Sequence, residues 1–162
     1  MFACNQGGHF SQMMALSSLF GKYDSVLVTD NVRATKDMEA LKNIGSIEYM
    51  LVMAEARNKG KKDHNSRVYG VISYAKACLA CCKIWRKYRP AVIITTGSSI
   101  AVGLFLYGKL MGSKLIFIET RAKVYSKTIT GKIVGRVADR IYVQWPEMKT
   151  IYPTAHFCGT LV

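Results

Sequence analysis

Seven short runs of β-favouring apolar residues recur along the chain, at 2–5 (FACN), 25–29 (SVLVT), 47–52, 91–96 (AVIITT), 114–118 (KLIFI), 140–144 (RIYVQ) and 155–158. Stretches able to form helices separate them, near 10–20, 34–43, 68–88, 99–111 and 128–137. A strand that is apolar at successive positions is buried on both faces, and such strands belong to parallel sheets covered by helices. The alternation therefore predicts α/β architecture, a Rossmann-like parallel sheet with helices on both faces. No internal repeat interrupts it, and 162 residues suit one domain spanning 1–162.

In such sheets the ligand crevice lies beyond the carboxyl ends of the strands. Small and polar residues gather there in this chain: Gln6-Gly7-Gly8-His9 after the first run, Asp30-Asn31 after the second and Glu55 after the third. Thr96-Gly97-Ser98-Ser99 follows the fourth, Glu119-Thr120-Arg121 the fifth and Gln144-Trp145-Pro146 the sixth. Glycines at Gly7 and Gly8 let backbone N–H groups approach a ligand, and a helix start favours an anion such as phosphate. His9 can bond a phosphate oxygen or act as a base, though a tight turn with a capping histidine would use the same residues. Ser98 or Ser99 is equally suited to capping the next helix. Glu119 is either a site residue or a partner of Arg121. The Gly7-Gly8 turn lacks the GxGxxG spacing, so it gives no dinucleotide fingerprint.

The helix at 68–88 places Val71, Tyr74, Cys78, Cys81, Cys82 and Trp85 on one stripe, the expected core face. That spacing accounts for the cysteines without a metal, and none is assigned. The opposite side aligns Lys76, Lys83 and Lys87 beside Ile72 and Leu79, a ridge able to lie on an anionic membrane or simply to be solvated. The helix at 99–111 is apolar almost all round, so it is buried or meets a partner or lipid. Twenty-three Lys and Arg against 10 Asp and Glu, net +13, favour an anionic partner. Nucleic acid is disfavoured, since the basic stretch at 54–67 carries no interleaved aromatics. The start of the chain does not read as a signal peptide, and five cysteines without an export signal point to reduced thiols. His64 and His156 have no supporting company.

Taken together, GGHFSQMMAL, TTGSSIAV, GSKLIFIETRAKVYSKTITGK, ADRIYVQWPEM and YPTAHFCGTL resemble, over nearly the whole chain, the ALG-type, PssD-like membrane-docking subunits of two-component glycosyltransferases. The resemblance implies the amino-terminal half of a GT-B fold. It implies a subunit that recruits a catalytic partner to the cytoplasmic membrane face and receives a polyprenyl-diphosphate-linked sugar in capsular or exopolysaccharide synthesis. The UDP-sugar donor would sit on that partner. This chain would hold no cofactor, would be inactive alone and would serve an inverting transfer, which needs a base.

Carried over by motif position, Gly7, Gly8, His9, Thr96, Gly97, Ser98 and Arg121 would bind the acceptor's diphosphate. His9 and Glu119 are the candidate catalytic residues, Lys76, Lys83 and Lys87 would face the membrane, and Gln144 and Trp145 would edge the pocket or touch the partner. Two departures stand out. No anchoring helix opens the chain, which leads us to expect a peripheral, bacterial member. SSIAVGL also replaces a stretch that often carries proline. A non-catalytic scaffold that activates its partner is the competing expectation.

Overall fold

The computed structural model describes residues 1–30, 39–50 and 66–161. Seven strands form one sheet in the order β3-β2-β1-β4-β5-β6-β7. They are β1 (Phe2–Cys4), β2 (Val26–Thr29), β3 (Ser46–Tyr49), β4 (Val92–Thr95), β5 (Lys114–Ile118), β6 (Arg140–Val143) and β7 (His156–Phe157). Every pairing is parallel. Except for β3, which begins one residue early, each strand lies within its predicted run. Glu55, Asn31, His64 and the basic stretch through 65 fall outside the described residues. The helices are α1 (Gly8–Met14), α2 (Ser66–Tyr88), α3 (Ala101–Leu110) and α4 (Ile129–Val134). Among the described residues none is long and apolar enough to cross a membrane.

Strand alternation divides the core. On one face Ala3, Val28, Ile93, Leu115, Phe117 and Ile141 pack with residues of α2 and α3. On the other, Phe2, Cys4 and Leu27 pack with Phe10, Met13 and Phe20. The core stripe of α2 is Ala77, Cys81, Ile84 and Trp85. This corrects the predicted stripe: Cys78 is exposed and Cys82 half-buried, while the side chains of Val71 and Tyr74 lie outside the description. Neighbouring α3 decides the rotation. A Cβ at Gly103 would sit 2.7 Å from Cys81 Sγ, so the closest approach of the two helices runs through Cys81. The indole of Trp85 fixes the far end by donating to Ser113 Oγ at 2.8 Å.

The second face is covered unevenly. Val92, Ile94, Ile116 and Tyr142 remain half-buried. They border two grooves of about 560 and 300 Å³ that share Leu19, Ile94 and Ile116. A parallel sheet normally has both faces covered. Here α1 is only seven residues long, and among the described residues an apolar trough across β4, β5 and β6 is left uncovered.

Candidate functional site

The chain runs outward from β1 to β3, then returns to start β4 on the other side of β1. Strand order therefore reverses between β1 and β4, the place where open α/β sheets form their crevice. That reversal sets two glycine turns side by side, Gln6-Gly7-Gly8-His9 and Thr96-Gly97-Ser98-Ser99. Their bonds are reciprocal. His9 Nδ1 lies 2.7 Å from the Thr96 carbonyl oxygen, and Thr96 Oγ1 donates to the His9 carbonyl at 2.9 Å. A carbonyl only accepts, so Nδ1 carries the proton and Nε2 is left as the proton-accepting nitrogen.

Gly97 adopts φ +94°, a left-handed conformation that suits glycine, and its Cα faces His9 and Phe117. A Cβ added at Gly7 or Gly8 would meet nothing within 4 Å, so the first turn presents bare backbone to open space. Asn5 and Asp30 hold that turn in place. Asn5 Nδ2 and the Gln6 N–H donate to the two Asp30 carboxylate oxygens at 2.7 and 2.8 Å.

A cleft of about 490 Å³ opens in front of the paired turns, lined by His9, Gly97, Ser99, Lys123, Lys127 and Ile129 among others. Among its described lining residues are two lysines, a histidine and no carboxylate. Lys127 Nζ stands 4.4 Å from the centre of the Tyr152 ring. The charged side chains described in its lining, Lys123 and Lys127, are both basic, an electrostatic setting that favours an anion.

Glu119 sits behind this wall with 1 % exposure. Its Oε1 accepts from the Thr120 N–H at 3.0 Å and Thr128 Oγ1 at 3.0 Å. Its Oε2 accepts from the Thr128 N–H at 3.3 Å and the Tyr152 hydroxyl at 2.8 Å. Burial, and then the bond to Glu119, push the Tyr152 phenol well above its ordinary range and keep it a donor. Glu119 thus clamps a strap, residues 120–128, onto β6 and the turn after it. The clamp is tight: a Cβ at Gly131 would collide with the Tyr152 hydroxyl and approach Glu119 Oε2 to 2.5 Å.

Gln12 and Gln144 close the back of the site. Gln144 Nε2 donates to Gln12 Oε1 at 2.6 Å and to the Glu119 carbonyl at 3.0 Å, and its Oε1 accepts from the Leu161 N–H at 3.0 Å. Trp145 Nε1 donates to the Arg121 carbonyl at 2.7 Å.

The structure thus brings His9 and Gly97 to the cleft wall, with Gly7 and Gly8 beside them. Thr96, Ser98 and Glu119 are buried behind it, and Arg121, which is exposed, is not among its lining residues. Neither Ser98 nor Ser99 caps α3 through its side chain. The cap position is Ile100, and only the serine backbone carbonyls accept, from Ala101 and Val102. Asn5, Lys123, Lys127, Thr128 and Tyr152 escaped the sequence reading. A polar Asn5 closing an apolar strand was a visible signal; the lysines, among 23 basic residues, gave none.

A seven-stranded parallel sheet of this order, with its crevice at the β1/β4 reversal, is a Rossmann-like α/β fold of the kind found in GT-B glycosyltransferases. The fold matches MurG from Acinetobacter baumannii with a TM-score of 0.66 at 17% identity, over 90% of this chain and 40% of that one. The family described as "Oligosaccharide biosynthesis protein Alg14 like" matches residues 2–161, and the chain belongs to it.

Its relatives include proteins named UDP-N-acetylglucosamine transferase subunit ALG14. The one from Candida albicans is 29% identical, over 96% of this chain and 74% of its own length. That from Yarrowia lipolytica is 26% identical, over 100% and 80%. The Rattus norvegicus protein is 23% identical, over 100% and 82%.

Proposed function

We propose that this chain is the acceptor-binding subunit of a two-chain N-acetylglucosaminyltransferase, with the donor UDP-sugar held by the second chain. The observation that carries the reading is the cleft: one histidine bonded through Nδ1 to a carbonyl, two lysines and, among the described lining residues, no acid, at the sheet's reversal point. The diphosphate of a polyprenyl-linked sugar would lie against Lys123, Lys127 and the bare backbone of Gly7 and Gly8.

His9 Nε2 would take the proton from the acceptor hydroxyl as that oxygen bonds to the donor's anomeric carbon and UDP departs. Glu119, with its oxygens already engaged, positions the strap rather than moving a proton. The named relatives are fungal and mammalian. The reading therefore concerns lipid-linked oligosaccharide assembly in general, of which bacterial capsule or exopolysaccharide synthesis is one setting.

The chain spans 40% of MurG. A second chain would supply the rest, and the trough over Ile94, Ile116 and Tyr142 is the surface we assign to it. Placing a charge there with Ile116→Asp should abolish copurification of the two chains while this chain still folds. Copurification at natural yield would remove the trough from the interface.

Membrane docking is assigned to the exposed side of α2. Ile72 and Leu79 are 47 % and 63 % exposed there, beside Lys76, Lys83 and Arg86. Lys87 is also exposed but is bonded to Glu48 at 2.5 Å, which offsets its charge. Each basic side chain near an anionic bilayer contributes about 1 kcal/mol, so the double substitution Lys76→Ala/Lys83→Ala should weaken vesicle binding roughly 30-fold. Flotation with anionic liposomes, with and without a polyprenyl-diphosphate sugar, tests both halves of the proposal. The lipid-linked sugar should strengthen binding of the natural chain. Flotation indifferent to that sugar would leave only a basic membrane scaffold.

A further inference from the structure

Ile129 lines the basic cleft, yet 80 % of its surface is exposed; Tyr125, on the strap just before it, is 79 % exposed. Large apolar side chains held in water contribute nothing to folding. Their exposure is built in rather than a product of slack, because the strap is pinned at both of its ends. Trp145 bonds the Arg121 carbonyl, Lys127 stands over Tyr152, and Thr128 bonds Glu119 and caps α4 by accepting from the Gly131 N–H at 2.8 Å.

We propose that Ile129 and Tyr125 form an apolar rim to the cleft, a subsite for the first isoprenoid units of a diphosphate that carries a hydrocarbon tail. The inference rests on the reading of the cleft as a diphosphate site. Charge and apolar surface are adjacent there in the order an amphiphile requires: phosphates between Lys123 and Lys127, then a tail leaving past Ile129. A water-soluble sugar phosphate would give this rim nothing to cover. The occupant is the tail of the bound substrate and not the bilayer, since Ile129 belongs to the cleft wall itself.

The test is calorimetric binding of inorganic pyrophosphate and of geranyl diphosphate to the full chain, each below any micelle-forming concentration. Covering one or two isoprenoid units should make geranyl diphosphate bind roughly tenfold tighter than pyrophosphate. In Tyr125→Ser/Ile129→Ser that preference should shrink to about twofold, with pyrophosphate affinity and anionic-vesicle flotation unchanged.

Equal binding of both ligands to the natural chain, or a preference that survives the substitutions, would overturn the rim while leaving the diphosphate site standing. So would a loss of flotation in the variant with its preference for geranyl diphosphate intact, which would assign the rim to the bilayer. Failure of both ligands to bind the natural chain would sink the diphosphate reading, and the rim with it.

Discussion

In the assembled two-chain enzyme, His9→Ala is expected to lower kcat at least about 100-fold, within the range that a positioned general base contributes. The reason is geometric. The Thr96 carbonyl holds Nδ1–H, so in the neutral imidazole Nε2 is the nitrogen left to accept a proton. Losing that hydrogen bond should itself cost only about 1 kcal/mol of stability, so the variant should remain folded. Transfer to a lipid-linked acceptor, measured beside copurification with the partner chain, separates chemistry from assembly. A variant that copurifies normally and retains natural kcat would remove His9 from the chemistry, and activity retained with both His9 and Glu119 replaced would favour the scaffold reading.

Glu119→Ala should act in the opposite manner, on the fold more than on a chemical step. It would strand the N–H groups of Thr120 and Thr128 and the hydroxyls of Thr128 and Tyr152, all gathered around a fully buried carboxyl group. Deleting such a hub costs about 3–5 kcal/mol, and for a chain of this size roughly 10 °C in Tm. Tyr152→Phe removes one of those bonds and should cost about 1–2 kcal/mol. Neither effect is available to a base that merely faces solvent. Thermal unfolding of the isolated chain decides the matter: a Glu119→Ala protein that melts within about 2 °C of the natural one, yet is inactive, would return Glu119 to the chemistry.

Much of the architecture was legible because it depends on local chemistry. KLIFI and RIYVQ are apolar at successive positions, the pattern of strands in a parallel sheet, and both form parallel strands here. The glycine turns were legible too, because φ +94° at Gly97 is a conformation few other residues adopt. The face of α2 was legible only to within a small rotation. The periodicity placed Cys78 and Cys81 on one stripe, and nothing in it could say which of them Gly103 of α3 would meet.

The cleft was half legible, and its two halves differ in kind. His9 and Gly97 follow strands in the sequence, so strand ends announced them. Lys123, Lys127 and Thr128 belong to a strap whose path depends on Glu119, and Glu119 in turn is fixed by Tyr152, 33 residues further on. The sequence shows only a lone carboxyl at a strand end; its four hydrogen-bond donors are supplied by the fold.

By itself the sequence determined the seven strands, their parallel sense and the position of the crevice, because strand burial and strand-end composition are written residue by residue. Only the tertiary structure decided that His9 would be held by the Thr96 carbonyl, that Glu119 would be surrounded by donors from Thr120, Thr128 and Tyr152, and that one sheet face would be covered unevenly. Those outcomes depend on contacts between residues distant in sequence, which no local pattern encodes.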